Sequence, residues 1–554
     1  MSAEFHSPSF RAASSDLTIA ISPLGLVELA DEEFEVHGPR LNRYASSWAW
    51  YLGHHHAYRR EVGDQHITLN YVRAFADYIN NFCFGKGVQF RTSEQNAAII
   101  PHLLHKVWEV DNDKAKVLWE MGQLATVTGD CFVKVAYEAP YQDSLGVNMP
   151  GRTRIIPLNP AHCFPEYHPH DRDRLLRFKL KYRFWGTSPE GTRQVYTFTE
   201  ILTDDTIEQY INDEMIDKYD NPIGHIPIVH IPNVTISSSP WGQSDIWDII
   251  SLNRELNEKM TDVSDIINYH AAPVTIITGA KANQLEKGAK KVWAGLPKDA
   301  RVFNLESKGE MGGSLEFIQG LKRSMHEITG VPETALGQTQ PISNTSGVAL
   351  AIQYQPMMNR YLMKKVHFSK GLERVNNLII RTQAVHEPWT LNWDPSLASY
   401  PEKDQATQLD PTDAATYKTQ VHWPDPLPVD ALILLNELQA KMGMGLESKR
   451  GALRALGEEF PNEKMAEVYE ELMEDQLDQG ALDMVSAQIS AGVMAMTGVL
   501  PDGTMGPSVT SAKDSAEDGV LPGVSPEGGE IVNQLVQRAY GANLAQRRVP
   551  DGGE

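Results

Sequence analysis

Ile328-Thr329-Gly330-Val331-Pro332-Glu333, followed by the polar stretch Thr334 to Ser343, lies between two segments with helical apolar spacing. On its N-terminal side Leu315 to Thr329 reads as a helix. On the C-terminal side a helical run extends from about Asn344 to Gln383. Pro356 falls inside it, and a proline there removes a hydrogen bond and clashes with the preceding turn. A kink is therefore expected near Ile352 to Pro356. The connecting loop carries almost no charge, and Gln338, Thr339, Gln340, Ser343 and Asn344 are its polar members.

Working outward, Ser244 to Tyr269 places Ile246, Ile249, Ile250, Leu256, Met260, Val263 and Ile267 at three-to-four spacing, with Ser244 as the expected N-cap. Such a helix is roughly 39 Å long. Asp248, Glu255, Lys259, Asp262 and Asp265 give it a charged side. The insert from Ala271 to Gly313 has its own signals: an extended Val274 to Thr278, a helical Leu285 to Trp293 and an extended Arg301 to Leu305. Two long helices flanking a small αβ insert make a hairpin with a tip. The insert carries Lys281, Lys287, Lys290, Lys291, Lys298, Arg301 and Lys308 against fewer acids, a local inversion of sign in a chain of net charge -22.

The remaining chain reads as a mixed domain. Residues 1–40 mix Ser, Pro and acids without periodicity and suggest an arm that orders only against a neighbour. Leu69 to Phe84 has helical spacing, and Gly85-Lys86-Gly87 ends it before an extended Val88-Gln89-Phe90. A helix over Asp113 to Thr128 turns at Gly129-Asp130 into the alternating strand Cys131 to Val135. Ile155 to Leu158, Leu176 to Tyr182, Val195 to Thr199 and Ile226 to Ile231 are strand candidates punctuated by Pro and Gly, so the fold class is α+β with a mainly antiparallel region. Beyond Pro388 the chain is irregular as far as Pro428. Helices follow at about Val429 to Lys441, Ser448 to Leu456 and Asn462 to Gln479. Gly498 to Gly529 is rich in Gly, Pro, Ser and acids and is expected to be disordered, with a short helix at Glu530 to Tyr540.

At 554 residues the chain exceeds the size at which one core stops growing, so two to four lobes are expected. Three cysteines, Cys83, Cys131 and Cys163, are too few and too scattered for a disulfide framework and suit a reducing compartment. No apolar run reaches the ~18 to 20 residues that span a bilayer, and no signal peptide is read at the N-terminus. Net charge -22 argues against an ordinary duplex-DNA binder, which gains affinity by releasing counterions with clustered Lys and Arg.

Catalytic and metal signals are weak. There is no Gly-x-x-x-x-Gly-Lys-Ser/Thr loop, so the chain does not read as an ATPase. His54-His55-His56 lacks a Cys or carboxylate partner at ligand spacing, and adjacent residues of a helix point apart. His168-Pro169-His170-Asp171-Arg172-Asp173 lies in a turn-rich stretch and reads as a surface loop. Met357, Met358 and Met363 read as adaptable packing, and Trp423 as a packing anchor.

Several segments in consistent order resemble the portal proteins of tailed bacteriophages, together covering about Leu69 to Gln476. They are Asn70-Tyr71-Val72 through Gly87; Gly224-His225-Ile226-Pro227-Ile228-Val229; and Trp241-Gly242-Gln243-Ser244-Asp245 through Leu252-Asn253-Arg254-Glu255-Leu256-Asn257. The fourth is Thr329-Gly330-Val331-Pro332 through Ser346-Gly347-Val348-Ala349-Leu350. Asp425-Pro426-Leu427-Pro428, with Gly443 to Ser448 and Leu456-Gly457, adds a weaker match.

The resemblance implies a portal-type subunit. Residues 1–40 would be the N-terminal arm, 41–240 the α+β wing, 241–270 the first stem helix, 271–313 the clip and 314–330 the second stem helix. Residues 331–343 would form the tunnel loop, 344–387 the long kinked wing helix, 388–428 a connection, 429–496 the helical crown and 497–554 a disordered tail. It further implies a ring of about twelve copies at one capsid vertex, assembled in the host cytoplasm, with neither cofactor nor metal. The implied partners are the large terminase subunit, the major capsid protein, scaffolding protein, a head-completion adaptor and double-stranded DNA passing without sequence preference.

On this reading Asp248, Glu255, Lys259, Asp262 and Asp265 face the channel. The uncharged loop touches DNA lightly, and the basic tip, through Lys287, Lys290, Lys291, Lys298 and Arg301, meets the motor. An acidic wall repels DNA within a Debye length of ~8 to 10 Å and keeps it sliding. Two other readings stay open: an acidic multidomain enzyme acting on nucleic acid, centred on His168 to Asp173, and a minor capsid or connector protein without a channel.

Overall fold

Helix α1 (Asp31–Tyr51) opens the described chain, ahead of the arm boundary expected at residue 40. His37, Arg40, Leu41, Tyr44 and Trp48 are buried at three-to-four spacing, and this stripe draws the residues on both sides of Pro39 into one helix. The structure is a computed structural model that describes residues 31–55, 67–92, 99–187, 191–271, 275–278, 299, 301–304, 311–336, 352–388, 410–427, 431–458 and 460–497. The chain divides into two compact units, Met1–Pro461 and Asn462–Glu554.

Helix α2 (Tyr71–Phe84) is capped by Asn70, whose side chain accepts from the Arg73 N–H, and it buries Val72, Phe75, Ala76, Ile79 and Cys83. Strand β1 (Gln89–Thr92) follows, then α3 (Ile100–His105), which runs into a π-helical turn at Lys106–Asp111. Helix α4 (Lys114–Thr128) starts from the Asp113 cap and packs on α2. The two helices come close because Gly122 has no side chain: a Cβ there would fall 2.0 Å from Asn80 Oδ1.

The β region is larger than the apolar spacing announces. Strand β2 (Asp130–Glu138), a small hairpin of β3 (Tyr141–Gln142) and β4 (Asn148–Met149), and β5 (Arg152–Leu158) come first. Then follow β6 (Cys163–His168), β7 (Asp171–Thr187), β8 (Arg193–Leu202), β9 (Thr206–Ile211), β10 (Glu214–Asp220) and β11 (Ile228–Pro232). They form an antiparallel five-stranded sheet in the order β10-β9-β8-β7-β6 and an antiparallel three-stranded sheet in the order β11-β2-β5. Strands β6, β9 and β10 lie outside the expected segments. β10 is exposed along nearly its whole length and so shows no alternation of burial to read.

Period-two alternation makes three layers of these parts. Phe132 of β2 and Ile228 of β11 point to one core with Phe178, Leu180 and Leu202 of the five-stranded sheet. Cys131, Val133 and Val135 point the other way into the main core with α2, α4 and the long helix described below. The three-stranded sheet is thus buried on both faces.

After a 3-10 turn at Trp247–Ile249 comes α5 (Ile250–Ala271). The cap expected at Ser244 is not at the α-helical start, because a 3-10 turn intervenes; the Ser244 hydroxyl donates to the carbonyl of Val127 and accepts from Ile246 N ahead of that turn. Strands β12 (Thr275–Thr278) and β13 (Arg301–Asn304) pair antiparallel, and α6 (Met311–Thr329) returns against α5.

Helix α7 (Gln355–His386) is the long helix, and Pro356 stands in its first turn rather than inside it. The expected kink is instead a break: Ile352 and Gln353 are helical, Tyr354 is a turn, and α7 starts anew at Gln355. Proline suits a first turn because the N–H it lacks has no intrahelical partner there. Strand β14 (Thr419–His422) pairs with β1, tying segments far apart in sequence. Trp423 beside it is buried and donates to Ser369 of α7. Helices α8 (Ala431–Gly443) and α9 (Lys449–Ala455) follow, the latter capped by Ser448. Helix α10 (Pro461–Thr497) forms the described part of the second unit and continues well past the end expected at Gln479. Gly480, the residue after that expected end, costs about 1 kcal/mol in a helix without having to end it.

Two glycines hold the sheet-to-hairpin connection. Gly129 has φ +97, and a Cβ on it would stand 2.6 Å from the Gly242 carbonyl oxygen. A Cβ on Gly242 would stand 2.1 Å from the Gly129 oxygen and 2.8 Å from Asn233 N. The obstacles are backbone, so no side chain can rotate away. Gly242→Ala is expected to lower unfolding stability by about 1 to 3 kcal/mol, the usual range for overpacking. A thermal or urea melt checks it, and a wild-type midpoint would contradict the contact.

Candidate functional site

The base of the α5–α6 hairpin is fixed by a polar ladder. Asn253, Asn257 and Thr261 occupy successive turns on one face of α5 and are buried. Asn253 Oδ1 accepts from the N–H groups of Tyr71 (3.0 Å) and Val72 (3.1 Å), and its Nδ2 donates to the Leu69 carbonyl (2.8 Å). Asn257 Oδ1 accepts from Leu69 N (2.9 Å), and Thr261 Oγ1 accepts from Ile67 N (3.2 Å). The first N–H groups of any helix lack intrahelical acceptors, and here α5 supplies them for α2. His55 joins the ladder at 2.8 Å from Asn257 Nδ2.

Asp245, just ahead of the hairpin, is the centre of a buried ionic cluster. Its carboxylate lies 2.5 Å from Lys364 Nζ and 3.0 Å from Arg360 Nη1, both on α7, and it accepts from Asn233 Nδ2 at 2.9 Å. Side-chain exposure is only 3% for Asp245 and 2% for Lys364, so neither charge has water to fall back on. Lys364 also donates to Thr126 Oγ1 of α4 (3.1 Å), and Arg360 Nη2 donates to the Ile328 carbonyl at the end of α6 (3.0 Å). One carboxylate therefore joins α4, both ends of the hairpin and the long helix.

A second carboxylate, Asp130, sits close by. It accepts from the Tyr44 hydroxyl of α1 (2.5 Å) and from Gly242 N (2.9 Å), and His230 Nε2 lies 2.9 Å away. Burial, then the Asp130 charge, pushes the Tyr44 hydroxyl well above its ordinary pKa, so it stays a donor. Burial pushes Cys83, near Lys364 and Asp245, up to about 11, which keeps it an unreactive thiol.

The stretch Thr329-Gly330-Val331-Pro332 closes α6. Thr329 donates back to the Met325 carbonyl (2.8 Å), Gly330 takes φ +71 and donates to His326 O (2.9 Å), and Val331 is buried in the main core. A Cβ at Gly330 would lie 3.4 Å from Pro356, so this turn rests directly on the start of α7.

Of the residues singled out in sequence, Asp248 lies in the 3-10 turn and Glu255, Lys259, Asp262 and Asp265 on α5. Lys259 reaches Asp262 (3.2 Å) and Glu255 (3.7 Å) on a half-exposed side of the helix, and Asp265 is exposed. Arg301 opens β13, is exposed and stands opposite Thr278. Gln338, Thr339, Gln340, Ser343 and Asn344, and Lys287, Lys290, Lys291 and Lys298, lie outside the described residues. His168 and Asp171 pair across the β6–β7 turn, and that turn is exposed. Among the described residues no group of three or more His, Cys, Asp and Glu is placed to hold a metal. No helix among them is long and apolar enough to cross a membrane. Asn253, Asn257 and Thr261 escaped the sequence reading, although three polar residues at four-residue spacing beside an apolar stripe were a visible signal. So did the Arg360–Lys364 pair.

Residues 34–477 match the family described as phage portal protein, SPP1 Gp6-like. The chain belongs to the phage portal protein family. The matched portal region takes in α1 from its first turn, both sheets, the hairpin and the long helix. No curated protein matches the portal chain in sequence. Similar solved structures include a chain from the neck of an empty gene transfer agent (GTA) particle computed with C6 symmetry, with TM-score 0.39 and 13% identity. Its match covers 70% of this chain and 88% of that one. A chain from the virion of a native GTA particle gives TM-score 0.34 and 13% identity over the same shares.

The Asp245 cluster makes a stability prediction. Asp245→Ala strands the buried Lys364 cation and leaves the part-exposed Arg360 without its carboxylate, and it is expected to cost about 3 to 5 kcal/mol, whereas Lys364→Met removes a buried charge at similar volume and costs less. Equilibrium denaturation of both variants checks the order, and the reverse order would contradict the cluster's charge balance.

Proposed function

We propose that this portal-family chain is one subunit of a closed ring, of about twelve copies, through which viral DNA passes at one capsid vertex. In this reading α5 and α6 are the stem, residues 271–313 the clip, 41–240 with α7 the wing, 331–343 the tunnel loop and 429–496 the crown. The observation that carries it is the family match over residues 34–477, joined to a helical hairpin whose base is bound to a long helix through one carboxylate. A stem in a ring needs a fixed base and an outer part free to meet neighbours. Helix α5 has that gradient: Leu256 and Val263 are buried, while Asp265 to Asn268 are exposed. Ile266, Ile267, Leu315 and Phe317 are exposed apolar side chains on the two helices, suited to contact between adjacent stems.

The half-exposed acidic side, Glu255 and Asp262 with Lys259 between them, would face the bore and repel DNA at short range. Gln338, Thr339, Gln340, Ser343 and Asn344 would make neutral contacts with phosphates, weak enough to slide. The basic clip residues Lys287, Lys290, Lys291, Lys298 and Arg301 would meet an acidic surface of the terminase motor. Capsid, scaffold and adaptor proteins would complete the partners. The reaction is mechanical, and no residue acts as a catalyst.

Mass measurement and negative-stain images of the purified chain test the ring. The expected result is a closed assembly with a central hole, and ring sizes next to twelve fit as well. A small globular oligomer without a hole would overturn the reading. Deleting residues 338–342 is expected to leave ring mass unchanged and lower packaged-genome yield at least tenfold, and a wild-type yield would remove the loop's role. Charge reversal at Lys290 and Lys291 is expected to weaken motor binding at least tenfold in a pull-down, with unchanged capture counting against a clip contact.

A further inference from the structure

The five-stranded sheet is electrically lopsided, and its two sides fit one another. At one edge, Asp204 to Asp220 contains seven acids and a single base, Lys218, which is held by Glu208 at 2.8 Å. Strand β10 is the outermost strand on this side, with Met215 (53%), Ile216 (55%) and Tyr219 (40%) exposed. The β9–β10 turn projects through Asn212 and Asp213, both at positive φ. An edge strand with open backbone groups and exposed apolar side chains is a surface made for a partner or a hazard without one.

At the end of the sheet that carries the β6–β7 turn, that hairpin, β11 and α7 line a cleft of about 880 Å³. Arg172, Lys370, Arg374, Arg381 and Lys418 line it against Asp173 and Glu373. This is a basic excess in a chain of net charge -22. The two acids lie 3.7 Å from Arg374 and 3.6 Å from Lys370, so the excess remains after pairing. Val366, 66% exposed, gives the cleft an apolar patch. The cleft touches the acidic segment at one point, where Ile226 of its lining donates its N–H to Asp204, but the β9–β10 turn lies at the far end of the strands, beyond the length of β9 from Thr206 to Ile211, roughly 17 Å at ~3.4 Å per residue. A molecule cannot fold its own edge into its own cleft, but a second copy can.

We propose that the acidic β9–β10 edge of one copy seats in the basic cleft of the next, a head-to-tail contact that repeats around the ring. The inference rests on the ring reading and names which surfaces of the sheet-bearing lobe meet. Head-to-tail contacts close into rings when their rotation closes, and complementary charge fixes register and suppresses wrong pairings. The test uses the full chain. Cys83, Cys131 and Cys163 are buried, so engineered surface thiols report alone. A Glu214→Cys, Lys370→Cys double variant, oxidised after assembly, is expected to give a ladder of covalent multimers on a non-reducing gel, while either single variant gives none. In parallel, Asp213→Lys with Glu214→Lys, or Lys370→Glu with Arg374→Glu, is expected to lower the assembled fraction at least tenfold in 0.1 M salt. All four changes in one chain restore it. Circular dichroism and melting midpoints matching wild type show that the variants are folded. A wild-type ring that yields no ladder and tolerates both reversals overturns this contact alone. A chain that stays monomeric at every salt concentration overturns the ring reading and the contact with it. Binding of short duplex DNA by the cleft, abolished by Lys370→Glu with Arg374→Glu while the ring persists, also overturns it.

Discussion

The contact of Asp245 with Lys364 and Arg360 is the constraint on which the rest of the subunit depends. A carboxylate removed from water is tolerable only with cations close by and its remaining lone pairs occupied, and Asn233 and the two α7 side chains provide this. The price of that arrangement is rigidity: Asp245 cannot shift away from α7 without leaving charges buried and unpaired. Since Arg360 also holds the last turn of α6 through Ile328, both ends of the hairpin are bound to the same two turns of one helix. A displacement at the start of α7 has to be shared by the hairpin base. The turn Thr329–Pro332, whose Gly330 rests on Pro356, adds a second contact at the same place.

Directional bonds do here what apolar packing would not. An apolar helix face tolerates sliding by a turn at modest cost, because dispersion contacts are exchanged for similar ones. Asn253, Asn257 and Thr261 instead match particular backbone groups of residues 67 to 72, and a one-turn slip would leave the donors at one end of the ladder without their acceptor. Register along the hairpin is therefore fixed at its base and relaxes outward, where α5 becomes exposed. Such a gradient suits an element that is held by its own subunit at one end and by neighbours at the other.

Elements with strong periodicity were legible in the sequence: α2, α4, α5 and α6 follow from the spacing of their apolar residues, whereas the caps at Asn70, Asp113 and Ser448 were not singled out. What was not legible depends on partners distant in the chain. Pairing of β1 with β14 joins residues 89–92 to 419–422, and nothing local announces it. Ser244 looked like a helix cap because its hydroxyl precedes an apolar run, yet that hydroxyl is used on Val127, over a hundred positions earlier. Pro356 was read as an interruption because sequence cannot tell a proline inside a helix from one that starts it. Of the candidate site, the charged side of α5 could be named in advance. The carboxylate that ties the parts together could not, because Asp245 looks like any acid before a helix until Lys364 is seen beside it.

Charge distribution connects the subunit to the assembly it is proposed to form. Copies at net charge -22 repel one another, so contacts between them have to place opposite signs face to face at short range, where screening at ordinary ionic strength is incomplete. The five-stranded sheet separates its charges across its width rather than mixing them, with acids gathered on β9–β10 and bases around the cleft beyond β6 and β7. Separation of this kind contributes little to the stability of a lone subunit, since surface ion pairs are worth at most about 1 kcal/mol each and like charges crowd at each edge. Its benefit appears only when another copy supplies the complementary edge. The half-exposed acids of α5 need no neighbour's cation, because Lys259 already serves Glu255 and Asp262 within the same helix. In such a ring the sheet would bind through charge and the outer part of the hairpin through its exposed apolar side chains.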